Sequence, residues 1–580
     1  MARHNDQQQQ EPNDGEEVRE RDLVESYLNE HALEPSLNAA INQVVADRPE
    51  DPFLVLSTLL YAKATAKRGI FHVDVREVLD DMGLPTVLVR LHTGKGVFDA
   101  SCSSEAKGLP DKPESLDDPS EPAVPLSKQR FNGRGYRKRA ARVAQVLAEK
   151  LVNLEPMDQQ AIDSILLVLE PEVGRNICHA VSVAACKAGA RYAELPLTEY
   201  IAKLHDMPVE SLCIPMPLFS VVNAGRYASN KLFVQEIFIS PTSAKSFADA
   251  YQIGAEFTQA LRDQLETRGV GFTNIGTFGG FAPQLQTLAE MFQILRTALD
   301  ETKGKLEFGS AIATTSASPL RMEFGVDFAA SEFVLPPPIS VSGSDDLLSK
   351  SNSTRSLQPA AGAQAQDEGM KASFSYNTDK WVPGSTGTLK TSDEMLDIIR
   401  SAIKELEIAS VVDPFDKEDV RTFAALQSGE HDDQDGSSDS AAFATDPGAS
   451  RKSLGGDPNC RVQVVGKTLF TYQGLEILQE ERACNTILLH LHQFPTVSKA
   501  LEAITDARRL GIAVILGAVA GQSSSSTDAA FMAAFAVGTG MGQVKFGGLA
   551  GADCIARYNE LLLLSEDPFA PDFVADAYRR

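Results

Sequence analysis

The chain has 580 residues, 43% of them hydrophobic, enough for two or three domains with substantial cores. Its 79 acidic side chains outweigh 54 basic ones, giving a net charge of -25 and a pI near 4.8, so the long-range field repels phosphate and argues against nucleic acid or an anionic membrane as partner. The seven cysteines are scattered and never form a CxxC pair, which fits reduced thiols rather than a disulfide framework or a zinc site. The first segment lacks the apolar stretch of a secretory signal and no run of about 18 apolar residues follows, so a cytosolic location is expected.

Residues 1–20 are polar, Gln-rich and acidic, a tail expected to be disordered. Residues 21–66 are expected to form a small helical module. Val24, Tyr27 and Leu28 make one helical face, Leu37, Ala40, Ile41, Val44 and Val45 a second, and Phe53, Leu56, Leu59 and Leu60 a third. Turns are expected at Glu34-Pro35 and across Arg48–Pro52. Helices this short need a partner for their apolar side. The stretch YLNEHALEPSLNAAINQVVADRPEDPFLVLSTLL resembles the dimerisation/docking fold of the regulatory RII subunits of cAMP-dependent kinase. That resemblance implies a homodimer whose four helices bind an amphipathic helix of an anchoring protein. The alternative is a helical extension packed on the main domain.

From Ile70 the period changes. FHVDVREVL and PTVLVRL alternate apolar and polar residues as half-buried strands do, with turns at Gly83-Leu84-Pro85 and Thr93–Gly96. Helical patterns run from about Ser127 to Glu170 and through GRNICHAVSVAACKAGA, completing an α+β domain over 70–211. Beyond residue 212 strand-like runs (PLFSVV, GFTNIG, RMEFGVDF, IASVV, TILLHLH, IAVILG, VKFGG) alternate with helices, including ones around 245–267, 286–301 and 391–405. Such alternation predicts parallel strands with helical crossovers, an α/β fold with an eight-stranded β/α barrel over 212–565. Ser-, Gly- and Asp-rich insertions at 342–369 and 427–459 are expected to be disordered.

REVLDDMGLPTVLVRL, NAGRYASNKLFVQEIFISP, NIGTFGGFAP, GVDFAASEF and GQVKFGG together resemble the enolase family, in the family's order and at its separations, over residues 70–565. The resemblance implies the enolase fold, an amino-terminal α+β domain before the barrel, commonly a dimer. It also implies phosphopyruvate hydratase activity, a magnesium-dependent lyase step of glycolysis that converts 2-phosphoglycerate to phosphoenolpyruvate. In that chemistry a proton leaves carbon next to a carboxylate, and magnesium ions held by carboxylates shelter the resulting charge.

Position by position, the pattern has been rewritten. Of three carboxylate metal ligands only Asp327 remains; Val412 stands where the family reads S-I-E-D-P-F and Lys467 where it reads Q-I-V-G-D-D-L. A hypothesis follows: Lys467 neutralises Asp327 in place of an ion. His490 replaces the base lysine, with His492 on the same side of the strand; it could serve as a base near neutral pH, but a core or partnered histidine is the expected reading. Phe278 and Thr277 replace the acid/base glutamate and its neighbouring aspartate. Gly517–Ser523 lacks the phosphate-binding arginine, Ala106 replaces a metal-binding serine beside Glu105, and Tyr227 takes a substrate-side histidine position. Glu236 and Lys545 survive at catalytic positions and Gln235 at a substrate-binding one.

With metal ligands, base, acid and phosphate clamp altered together, the expected protein is a pseudoenzyme without cofactor, acting as a structural or scaffolding component. The motif Asp80–Thr86 and the amino-terminal extension resemble the enolase-like branch associated with sperm and flagella, which implies a place in a cilium or flagellum. Two alternatives stay open: a working hydratase that uses magnesium, with His490 as base aided by Lys545 and Glu236, and a lyase of altered substrate built on His490 and Lys467.

Overall fold

The computed structural model describes residues 24–63, 69–102, 130–133, 135–228, 230–309, 320–335, 374–382, 384, 387–428, 462–518 and 526–574. The tail 1–20, the insertion 342–369, the insertion 427–459 beyond Ser428, and Ala106 with its loop lie outside them.

Residues 24–30 are helical, and two further helices follow at Leu33–Asp47 and Pro52–Lys63. The expected turn at Glu34-Pro35 falls three residues earlier. The chain reverses at His31-Ala32, with Ala32 left-handed at φ 46°, and Pro35 sits in the helix's first turn, where its missing N–H costs nothing. Of the apolar residues in these helices Ala40 is buried, whereas Val24, Tyr27, Leu28, Leu37, Ile41, Val45 and Phe53 are exposed.

Strands β1 (Ile70–Leu79), β2 (Pro85–Thr93) and β3 (Gly96–Cys102) form an antiparallel meander. Val73, Val75, Val87, Val89 and Leu91 face the helices Arg137–Leu151 and Arg175–Ala193 and are buried, so the alternation read from the sequence is the alternation of the sheet.

The second domain is a closed barrel whose strands lie in the order Gln463–Gly466, Thr486–His490, Ala513–Gly517, Gln543–Gly548, Met216–Asn223, Glu236–Ser240, Glu323–Asp327 and Ile408–Val412. Its strands are β4 (Met216–Asn223), β5 (Glu236–Ser240), β6 (Glu323–Asp327), β9 (Ile408–Val412), β10 (Gln463–Gly466), β11 (Thr486–His490), β12 (Ala513–Gly517) and β13 (Gln543–Gly548), while β7 (Tyr376–Asn377) and β8 (Leu389–Lys390) make a separate small hairpin. Eight strands are as expected; their directions are not all so. β5 runs antiparallel to both β4 and β6, because it follows β4 through a loop with no crossover helix. GFTNIG is not a barrel strand. It folds back on itself, Gly276 N–H donating to Gly280 O, and packs so tightly that a Cβ on Gly276 would lie 2.3 Å from Asn223 Cβ. The helix Phe247–Arg268 lies where expected, whereas the one begun at Leu288 runs on to Gly309.

Side chains fill the barrel in layers. Leu218, Phe238, Val412, Val465, Leu488 and Ile515 form a buried apolar layer across its middle. Two residues toward the carboxyl ends of the parallel strands, the same alternation puts Lys467, His490, Gly517 and Lys545 on the inner face; antiparallel β5 contributes Glu236 there.

Candidate functional site at the barrel mouth

Asp327 ends β6 and is fully buried. Lys467, one residue past β10, reaches it with both carboxylate oxygens in range: Nζ lies 2.9 Å from Oδ1 and 2.7 Å from Oδ2. The same ammonium donates to Gln235 Oε1 at 2.9 Å. Burial works against the charge on Lys467, but Asp327 and then Asp413 outweigh it and hold the ammonium above the ordinary lysine pKa. The pairing read from the sequence is therefore present. Gln235, expected to meet substrate, spends its carbonyl on this lysine.

Beside it lies a second pair. Lys545 Nζ is 2.5 Å from Glu236 Oε2 and 3.7 Å from Asp327 Oδ2, and it sits over the Phe238 ring. Glu236 is 2% exposed, and its other oxygen, Oε1, is buried without a hydrogen bond. Asp413, which the sequence reading passed over, closes the group. Its carboxylate accepts from Lys467 N and Thr468 N, both at 2.8 Å, and from Thr468 Oγ1 at 2.6 Å, fixing the turn from which Lys467 extends. Burial raises the Asp413 pKa although Lys467 opposes the shift. An Asp-Pro pair directly after a strand was the available signal for such a turn-fixing side chain.

Val412 stands next to Asp327 in the strand pairing and belongs to the apolar layer. Phe278 is half-buried at the tip of the GTFGGFAP loop; its N–H donates to Asn223 Oδ1 at 3.0 Å and its carbonyl accepts from Gly548 N at 2.7 Å. The loop is thus pinned at the barrel mouth, and it carries a phenyl ring at the position where the family pattern has a carboxyl. Tyr227 closes the short turn Gly225–Tyr227, and its side chain lies outside the described residues, as do Val519–Ser523 of the former phosphate loop.

His490 ends β11 and is buried. Gly517 on the neighbouring strand makes room for it, since a Cβ there would lie 2.8 Å from His490 Nε2. Desolvation, then His492, Lys467 and Lys545, push the His490 pKa well below its usual value. Two nearby ammonium groups and burial both disfavour the protonated ring, which fits a core histidine better than a base working near neutral pH. His492 lies in the turn Leu491–Gln493 with its ring centroid 5.6 Å from that of His490. Burial drives its pKa down to about 3, and its Nδ1 is buried and unpartnered.

The amino-terminal domain grips this segment. His179 Nδ1 lies 3.1 Å from Phe494 O, Ser182 Oγ accepts from Val497 N at 2.8 Å, and Asp163 Oδ2 accepts from Ser498 N at 3.0 Å and Ser498 Oγ at 2.7 Å. None of these three was legible as part of the site, because each is brought there by contacts more than 300 residues apart in sequence.

The donor set does not fit the magnesium of the enolase reaction. That ion takes oxygen ligands in a tight octahedron. Here an ammonium sits against both oxygens of Asp327, and a valine occupies the adjoining ligand position. Among the described residues no three His, Cys, Asp or Glu side chains are grouped to hold a metal.

An α+β domain leading into a barrel whose second strand runs backwards, with acids and lysines at its mouth, defines the enolase-type architecture. The family model for the enolase N-terminal domain matches residues 70–201, and that for the enolase C-terminal TIM barrel domain matches 211–335 and 437–571. The chain belongs to the enolase family. It is 30% identical over 518 residues to "Enolase" of Eimeria tenella, covering 86% of this chain and 96% of that protein. It is 27% identical over 557 residues to "Cytosolic enolase 3" of Arabidopsis thaliana, covering 94% and 96%.

Proposed function

We propose that this protein is an enolase-family scaffold whose barrel no longer supports magnesium-dependent dehydration of 2-phosphoglycerate. One observation carries the reading: Lys467 Nζ lies on Asp327 at 2.7 Å, where the chemistry needs a divalent ion. An enolate left without that ion has no counter-charge of sufficient density, and Phe278 offers no proton. Loss of one acid or base costs about 10²- to 10⁴-fold in rate, and several are altered here. The retained Glu236–Lys545 pair favours the alternative, a working phosphopyruvate hydratase. Purified protein assayed with 2-phosphoglycerate and magnesium decides between them. No turnover above the uncatalysed rate is expected; turnover at enolase-like rates sinks the scaffold reading.

The amino-terminal helices supply the attachment in this proposal. Their exposed apolar side chains, Val24, Tyr27, Leu28, Leu37, Ile41, Val45 and Phe53, support pairing with a second copy and capture of an amphipathic helix of an anchoring protein. A cytoplasmic location is supported by the relative named as cytosolic, and placement in a cilium or flagellum by the resemblance carried by Asp80–Thr86. Sedimentation of the full chain against a chain beginning at Gly69 tests the module: loss of self-association or of helix binding on deletion is expected, and unchanged behaviour removes its role.

A further inference from the structure

Three oxygens converge on one point at the barrel mouth: Gln235 Oε1 at 2.9 Å, Asp327 Oδ1 at 2.9 Å and Asp327 Oδ2 at 2.7 Å, all measured from Lys467 Nζ. Val412 is the register partner of Asp327 in the strand pairing, and the Asp413 carboxylate fixes the backbone of Lys467 and Thr468. Such a convergence of oxygens, one carboxylate at 1% exposure among them, is a seat for a cation whichever cation fills it.

We infer that Lys467 is the barrel's own tethered cation, that it excludes divalent ions by occupying their seat, and that shortening this one side chain turns the seat into a divalent-cation site. The inference rests on the scaffold reading and extends it, since it names the side chain that fills the seat and the change that would empty it. The physical argument is one of compensation. Asp327 stays buried in either case, and Lys545, 3.7 Å from its Oδ2, is already paired with Glu236, so removing the Lys467 ammonium leaves two buried carboxylates on one lysine and a charge that must be met from solution or destabilise the fold. A hard divalent ion suits the purpose because it retains several waters and needs few protein oxygens. The seat offers three from two side chains. Lys467→Asp would add a further carboxylate.

The test uses the full chain with Mn²⁺ as probe, read by the electron paramagnetic resonance of free Mn²⁺ and by thermal shift. The wild type is expected to leave the Mn²⁺ signal and its own melting temperature unchanged. Lys467→Ala and Lys467→Asp should each bind one ion per chain, about tenfold or more tighter than wild type, with a melting temperature that climbs as Mn²⁺ is added. Adding Asp327→Asn to either should abolish both effects. The inference is overturned if wild type binds an ion that Asp327→Asn removes, if the folded variants bind no more than wild type, or if both variants stay unfolded with Mn²⁺ present. Failure of the scaffold reading shows on a different signal, turnover of 2-phosphoglycerate by the wild type; ion uptake by the variants without turnover supports both.

Discussion

Asp327 and Val412 are register partners across the parallel pairing of β6 with β9, so the surviving carboxylate and the residue that replaces its neighbour stand side by side. Val412 packs with Leu218, Phe238, Val465, Leu488 and Ile515. Val412→Glu therefore puts a further carboxylate against Asp327 and into an apolar layer, where Lys467 is already bound to Asp327 and Lys545 to Glu236. We predict destabilisation on the order of 2–4 kcal/mol in chemical denaturation, with no gain of hydratase turnover. An unchanged denaturation midpoint would mean that the layer is not dry.

Lys467→Met removes the charge and keeps much of the stem's volume. Breaking one side of a buried pair costs about 3–5 kcal/mol, and here Asp327 would be left with Lys545 alone, 3.7 Å away and already paired with Glu236. Asp327 is 1% exposed, so solvent offers it little relief. Lys467→Met combined with Asp327→Asn should recover most of the loss, giving a positive coupling in the double-mutant cycle. Equal stabilities of the single and double variants would disprove the pairing.

How much of this was legible in the sequence follows from the range of the interactions. β1 and β2 were readable because one face is buried and the period is two; the Asp327–Lys467 pair was readable because both residues fall in motifs with a recognisable family pattern. β10 (Gln463–Gly466) is four residues long and β5 follows its neighbour without a crossover helix, so neither gave a separate periodic signal, and the glycine-rich GFTNIG took a strand's place in the count. Gln235 kept its identity but changed its partner, which only the reach of Lys467 reveals. His179, Ser182 and Asp163 sit on helices of another domain, where local pattern says nothing of what they meet.

That last contact predicts a loosening of the barrel mouth from a distance. Asp163 is 2% exposed and accepts from Ser498 N, Ser498 Oγ, Ser182 Oγ and Gln159 Nε2. In Asp163→Ala the helix Val497–Arg509 loses a cap from the other domain and several buried donors lose their acceptor, a cost of about 2–4 kcal/mol. Amide hydrogen exchange should accelerate at Val497 and Ser498 more than in β1–β3. Uniform exchange across the protein would show that the contact does not hold this segment.

The buried imidazoles set an acid limit on the fold. Burial lowers the pKa of His179 from 6.5 to about 4 and that of His492 from 6.5 to about 3. Below pH 6.5 the unfolded chain takes up protons at these sites while the folded one does not, so stability is full above that value and falls with pH toward the folded pKa of each ring. Each ring contributes a slope of up to ~1.4 kcal/mol per pH unit over its window. His179 stops contributing near pH 4, and His492 continues to about pH 3. His492→Asn, which cannot titrate, should flatten the loss of stability between pH 6.5 and 4 relative to wild type while shifting the pH 8 value by a constant. An acid limb of the same slope in both proteins would show that His492 takes up its proton in the folded state.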